Sequence, residues 1–342
     1  MALVLAEYFS VNRIVTSVAN QQTTFQEISR FVVEQSFLSK WQIFKKDPRR
    51  ALLLLPFAWS FLKPVDADIV ICSSAGWAHG VPTTSRAKKL VYCHNPPRWL
   101  YQRDEYLIGH GIAAKSILTI IFPILRIWDR RSAKSADIYI ANSTSVADRI
   151  KKVYGIDAHI IFPPVSISTE GERRPVPNLG RFFLSVGRPR GYKGANLLEE
   201  AFARMPDLTL AIVGSGESPP RKEGNIVRLG KVSEAELRWL YEHATALVSV
   251  SKEDFGLTPI EANAFGTPAL VIRKGGFLDS TLEGISGAFI EGSGADAIIK
   301  AVRNFPVSWD KEVIRAHAKK FSPERFFKQI CEVMSELSNK TT

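Results

Sequence analysis

Short runs of β-branched and other apolar residues recur along this chain and alternate with helical patterns from end to end. The runs are Ile14-Val15-Thr16, then residues 68–71, 89–92 and 138–141, and in the second half 181–186, 208–213, 246–250 and 268–272. Strands separated by helix-length segments predict βαβ units and parallel sheets. Residues 168–180, rich in charge, proline and glycine, interrupt the rhythm near the middle. They read as a linker between an N-terminal domain, 1–167, and a C-terminal domain, 181–322, followed by a closing helix over 323–342. No repeat of solenoid length and no low-complexity segment is visible.

A chain of 342 residues with 45% apolar content can bury two cores, in keeping with two domains. The net charge of +11 is unevenly spread: 21 Lys and Arg stand against 13 Asp and Glu in residues 1–170, and 24 against 21 thereafter. Such a field draws nucleic acid, an anionic membrane face or phosphorylated substrates. No aromatic-basic RNA motif, zinc finger or helix-turn-helix accompanies it, so no nucleic-acid partner is expected. Three cysteines, Cys72, Cys93 and Cys331, lack the spacing of a zinc site or a disulfide framework, which fits a reduced compartment. The N-terminus does not have the layout of a secretory signal, so a cytoplasmic location is expected.

Two first-half segments, 51–62 (ALLLLPFAWSFL) and 117–128 (ILTIIFPILRIW), are apolar beyond the needs of a helix packed on one side. Both are too short to span a bilayer, and each contains a proline. Lys45, Lys46, Arg49, Arg50 and Lys63 flank the first, and Lys115, Arg126, Arg130 and Arg131 the second. Two readings stand side by side. One is domain core beside solvated charges; the other is a surface that lies on the inner face of the cell membrane, a peripheral contact made through the N-terminal domain.

The chemistry concentrates in Ser251-Lys252-Glu253-Asp254-Phe255-Gly256-Leu257-Thr258-Pro259-Ile260-Glu261-Ala262, directly after a strand. Two glutamates stand eight positions apart across a loop-to-helix junction. Gly256 allows close backbone approach, Pro259 suits a first helical turn, and amides exposed at a helix start can bind phosphate. The position suits a nucleotide at the C-terminal edge of a parallel sheet. The run EDFGLTPIEANAFGTPAL resembles, across almost every position, the signature of family 4 retaining glycosyltransferases.

Further segments carry the same resemblance. Val186-Gly187-Arg188-Pro189-Arg190-Gly191-Tyr192-Lys193-Gly194 follows a strand and precedes a helix, and Leu229-Gly230-Lys231-Val232-Ser233 precedes another. Gly214-Ser215-Gly216 lacks the full glycine spacing and the ribose-binding acid of an NAD site. Lys274-Gly275-Gly276-Phe277-Leu278-Asp279 stands where relatives carry two glycines, small residues and a glutamate; it departs through Phe277 and Asp279, and its turn amides could still cradle a phosphate. In the first half, Val91-Tyr92-Cys93-His94-Asn95-Pro96-Pro97-Arg98-Trp99 resembles the segment of bacterial mannosyltransferases that use GDP-mannose. The preceding 72–80 stretch also resembles that subgroup and adds His79 as a lesser candidate.

The resemblance implies a GT-B fold, two Rossmann-like parallel-sheet domains facing a cleft, with the closing helix crossing back to the first. It implies a retaining, metal-independent hexosyltransferase with no cofactor, in which the sugar nucleotide, GDP-mannose by preference, is a substrate. The acceptor would be a glycan or lipid-linked molecule in polysaccharide or lipopolysaccharide assembly. Arg188 and Lys193 would hold the diphosphate, Glu261 the ribose diol and Glu253 the donor sugar. Gly230, Lys231, Phe255, Gly256 and Leu257 would complete the donor site, His94 would meet the transferred sugar, and Arg98 and Trp99 would shape the acceptor side. Family members open with a strand and a Gly-Gly loop, whereas this chain opens on Met1-Ala2-Leu3-Val4, and no Gly-Gly precedes Gly275-Gly276. The first sheet is therefore expected to lack its central strand. A UDP-sugar donor, or an inactive sugar-nucleotide-binding relative, remains as the alternative.

Overall fold

The structure, a computed structural model, describes residues 1–20, 26–102, 112–187, 194–214 and 221–339. It divides into two compact units, Met1–Ile161 with Phe327–Thr342, and Phe162–Phe326. The 168–180 stretch therefore lies inside the second unit and not between the two. The reason is its bonding: Arg238 Nε donates to the Ser168 carbonyl at 3.0 Å, Arg173 pairs with Glu242 at 3.3 Å, and Leu179 is buried. Helix Pro323–Asn339 begins in the second unit, and its residues from Phe327 onward belong to the first, where the Phe327 ring stacks on Tyr8 with centroids 3.6 Å apart.

The first unit contains two parallel sheets. β1 (Arg13–Thr16) pairs with β2 (Val32–Gln35), and a four-stranded sheet runs β3 (Ile69–Ser74), β4 (Lys88–Cys93), β5 (Ile138–Ala141), β6 (His159–Ile160). β4 is buried almost throughout, as a central parallel strand covered on both faces should be. Its core residues Val91 and Cys93 meet Phe122 and Leu125 from helix Ile112–Ala133, and Val146 and Ile150 from helix Thr144–Tyr154. The latter helix is fixed at its start by the Ser143 hydroxyl, which accepts from the Val146 amide, and at its end by Gly155 in the left-handed conformation.

The second unit is built on one seven-stranded sheet. Its strands are β7 (Phe182–Val186), β8 (Thr209–Val213), β9 (Arg221–Glu223), β10 (Ile226–Gly230), β11 (Leu247–Ser249), β12 (Ala269–Ile272) and β13 (Gly287–Ile290). The order is β13-β12-β11-β7-β8-β10-β9, and among the described residues only the β9 pairing is antiparallel. Side chains alternate between two cores. Phe183, Leu210, Val248 and Leu270 face helices Ala195–Ala203 and Ala295–Arg303, whereas Phe182, Leu184, Ala211 and Leu247 face Leu240, Tyr241, Ala262 and Phe265. The chain proceeds from β7 outward to one side, then restarts at β11 and proceeds to the other. The switch point of the sheet thus falls between the C-terminal ends of β7 and β11, where α/β proteins place ligands.

Candidate functional site

The switch point in the second unit is where the sequence's nucleotide-type residues gather. β11 ends at Ser249, and the chain passes through Ser251 and Glu253 to Gly256, which caps helix Leu257–Ala264 with φ of +88°. A side chain at Gly256 would also meet the Phe277 ring at 2.5 Å, so both backbone and space demand glycine. Gly194, which caps helix Ala195–Ala203, lies beside the end of β11: its φ is +68°, and a Cβ there would stand 2.5 Å from Val250 Cγ2. Arg188 and Lys193 lie outside the described residues.

Each glutamate of the pair is held by hydroxyls. Glu261 Oε2 accepts from the Tyr241 hydroxyl at 2.8 Å, and Oε1 accepts from the Ser166 hydroxyl at 2.8 Å. Glu253 Oε1 accepts from the Ser251 hydroxyl at 3.0 Å, and Ser251 is in turn 2.9 Å from Ser249 Oγ. Tyr241 is fully buried; burial first, and then the Glu261 charge and its hydrogen bond, push its phenol well above the ordinary range. It therefore stays a neutral donor that orients one carboxylate oxygen. Tyr241, Ser166, Ser249 and Ser251 went unassigned in the sequence. No motif in the sequence includes Tyr241, and nothing in the spacing ties it to a glutamate twenty residues on.

Glycines form the neighbouring edge of the sheet. The Gly187 amide donates to the Val213 carbonyl and the Gly214 amide to the Gly230 carbonyl, both at 2.9 Å, so the ends of β7, β8 and β10 are tied together through glycine backbone. Gly230 has φ of +65°, and Lys231 follows it exposed to solvent.

Several of the predicted positions make internal contacts. The Phe255 ring is buried against Phe162 and Phe321, with centroids at 5.4 and 5.7 Å, so it serves the core; any contact it makes with a donor runs through its backbone. Leu257 packs on the same cluster. In the Gly275-Gly276 turn the Gly276 N–H donates to the Glu253 carbonyl at 3.1 Å, and the backbone of Glu253 to Phe255 leaves no room for a side chain at either glycine. The turn thus braces the Glu253 loop. Phe277, the departure from the family pattern, is fully buried with Ala269 and Val271 and fills the space over Gly256.

In the first unit His94 lies immediately past β4, its amide donating to the Ser74 carbonyl at 2.8 Å and its Nε2 standing 2.9 Å from Ser73 Oγ. The Tyr92 ring meets the imidazole edge-on at 5.2 Å. β3 and β4 therefore fix the ring at the C-terminal end of their sheet. Arg98 starts helix Arg98–Tyr101 and is half-buried. Trp99 packs between Trp77 and Phe122, centroids 4.9 and 5.6 Å away, within the core of the first unit. His79 is likewise internal. Its Nε2 stands 3.1 Å from Asp129 Oδ1, both side chains being buried, while Tyr101 donates to Asp129 Oδ2 at 2.8 Å. His79 and Tyr101 are thus neighbours of a fully buried Asp129.

Comparison with known proteins agrees with this architecture. Residues 15–169 match the family model described as Glycosyltransferase Family 4, and residues 169–312 that described as Glycosyl transferases group 1. Among curated relatives, D-inositol 3-phosphate glycosyltransferase of Corynebacterium urealyticum is 27% identical over 252 residues, 62% of this chain and 59% of that protein. Its counterpart in Thermobifida fusca is 30% identical over 191 residues, 46% and 44% of the two chains. The chain thus spans about half the length of these two relatives. Human alpha-1,3/1,6-mannosyltransferase ALG2 is 23% identical over 322 residues, 81% and 75%. The structure shares its fold with a sucrose-phosphate synthase of Thermosynechococcus elongatus, TM-score 0.67 at 16% identity over 98% of this chain and 91% of that one. It shares it also with Anabaena HepE, solved in complex with UDP-glucose, TM-score 0.65 at 15% identity over 98% and 94%. With the GT-B architecture in place and two family models that meet at residue 169 and together match residues 15–312, the chain belongs to the family 4, or group 1, glycosyltransferases.

Proposed function

We propose that this chain transfers a hexose from a sugar nucleotide to a glycan or lipid-linked acceptor, with the nucleotide bound in the second unit at the switch point between β7 and β11. The observation that carries this is the held pair of carboxylates: Glu261 fixed from two sides by Tyr241 and Ser166, and Glu253 fixed by Ser251, at one sheet edge. An ionised carboxylate offers only acceptors, which suits the diol of a ribose at Glu261 and the hydroxyls of a sugar at Glu253. Helix Leu257–Ala264 presents its first amides at the same edge, where they favour a diphosphate. Arg188 and Lys193 complete the charge, so that the leaving nucleoside diphosphate is neutralised by the protein without a resident metal or cofactor.

His94 is assigned to the transferred sugar, and the configuration at the anomeric carbon is retained. Neither glutamate acts as a nucleophile; the departing phosphate assists deprotonation of the acceptor on the same face, unlike the two-carboxylate chemistry of retaining glycosidases. GDP-mannose is the proposed donor, on the likeness of the His94 segment to GDP-mannose enzymes, and the similarity to a human mannosyltransferase supports it. A UDP-sugar is the second reading, favoured by the shared fold with HepE, which was solved with UDP-glucose. The work is placed at the cytoplasmic face of a membrane, with the protein peripheral to it. Calorimetric titration of GDP, GDP-mannose, UDP and UDP-glucose in the presence of EDTA tests the donor. Micromolar binding of one base, lost in Glu261→Ala, is expected; a folded chain that binds no nucleotide contradicts the proposal. Turnover lost in His94→Ala with nucleotide affinity kept would separate the two assignments.

A further inference from the structure

The apolar segment around residue 57 in the first unit does two things at once. Its inner face is core: Pro56, Ala58 and Trp59 of helix Leu55–Ser60 are buried, Ala58 packing with Leu38 and Ala51. Trp128 of helix Ile112–Ala133 anchors it further, its indole N–H donating to Ser60 Oγ at 2.9 Å. The outer face is uncovered. Leu54, Phe57 and Phe61 follow one another at helical spacing and are exposed, Phe57 to 55% and Phe61 to 76%. The preceding turn adds Phe37 and Trp41, with Phe37 lying 6.0 Å from the Trp41 ring and 6.5 Å from the Phe61 ring, and Trp41 49% exposed.

These side chains therefore form one aromatic face held in place from behind. Contiguous exposed aromatics of this kind mark an interaction surface. The charge around it is one-sided. Residues 36–63 contain six Lys and Arg and a single acid, Asp47, which is already engaged by Arg50 at 3.9 Å. Lys40, Lys46 and Lys63 are exposed at its margins. A protein partner of ordinary composition would need acidic groups to match this rim. An anionic bilayer supplies them as phosphates, and its interface accepts Trp and Phe at headgroup depth. Among the described residues no helix is long and apolar enough to cross a membrane, so contact of this kind would be made by lying on the surface.

We propose that the face formed by Phe37, Trp41, Leu54, Phe57 and Phe61, with its lysine rim, docks the first unit on an anionic lipid bilayer. This rests on the membrane reading given above and names the surface that makes the contact; it is independent of the donor site. The test is co-sedimentation of the full chain with phosphatidylcholine–phosphatidylglycerol vesicles and with pure phosphatidylcholine vesicles. Wild type is expected to pellet with the anionic vesicles and to be released by salt. Trp41→Ser with Phe61→Ser should lower the partition coefficient by at least about tenfold, because two exposed aromatics no longer leave water. Lys40→Gln with Lys46→Gln should lower it by about tenfold or more on anionic vesicles only. All four positions are exposed, so melting temperature and nucleotide titration should match wild type, and a failure of nucleotide binding would leave the vesicle result standing. Equal vesicle binding by the aromatic variant, or no binding by wild type, overturns the proposal. So does a dimer in sedimentation velocity that dissociates in the aromatic variant, which would put a second copy of the chain on this face.

Discussion

The most informative contact in the candidate site is one that no motif contains. Tyr241 is buried, neutral and aimed at Glu261, with Ser166 closing on the other carboxylate oxygen. A hydrogen bond to a charged group contributes about 1.5–3 kcal/mol, so removing the phenol frees one oxygen to turn away from the geometry a ribose diol needs. Tyr241→Phe should therefore weaken nucleotide affinity about tenfold or more, read by calorimetry, with the ring's stack on Phe265 retained. Ser166→Ala, at an exposed contact where water can replace the hydroxyl, should have a smaller effect. Unchanged affinity in Tyr241→Phe would show that Glu261 is not positioned by this bond. Phe255 and Trp99 teach the converse lesson at the same scale. Both stand in site-like motifs, and both rings are buried in aromatic clusters.

At the scale of elements, the tightest constraint is the junction of the Glu253 loop, the Leu257–Ala264 helix and the Gly275-Gly276 turn. Gly256→Ala would cost about 1–2 kcal/mol for a left-handed backbone. It would cost about another 1–3 kcal/mol for the encounter with Phe277. In a Phe277→Leu background the second part should shrink, giving a coupling of about 1 kcal/mol in thermal or urea unfolding. An identical penalty in both backgrounds would mean that the ring does not press on this glycine. The strands were largely legible from apolar runs: β1, β3, β4, β5, β7, β8, β11 and β12 lie on the runs that predicted them. β10 was hidden because Arg228 interrupts its apolar residues, its charge met by Glu199 at 2.8 Å and Glu223 at 2.9 Å, partners the local sequence does not reveal. β9 contains no apolar residue, β6 is two residues long, and Glu34-Gln35 and Gly287 shorten the apolar runs of β2 and β13. The two apolar segments could not be resolved from sequence because each is amphipathic in space rather than in composition. Phe122 and Leu125 face the core while Ile124 and Ile127 face out, and Trp59 is core while Phe57 and Phe61 are not.

For the whole molecule, the sequence carried the α/β class and the two-domain plan, while the position of the division had to come from contacts. Residues 168–180 look like a linker by composition, but Arg238 and Glu242 fasten them to the second unit, and the break falls at Ile161–Phe162. The family signature spoke to the second unit in detail and gave the first mainly through the His94 segment, since the first unit's sheet is in two parts and its apolar surface has no motif. The two units differ in the surfaces they carry: the second has Glu253 and Glu261 at its sheet edge, and the basic first unit has an exposed aromatic face. The central claim is that the nucleotide binds at the second unit's switch point, and hydrogen–deuterium exchange with and without the tightest-binding nucleotide tests it most directly. Slower exchange is expected in peptides covering residues 228–233 and 250–262. A nucleotide that binds yet protects neither, or that protects only residues within 1–161, would contradict the account.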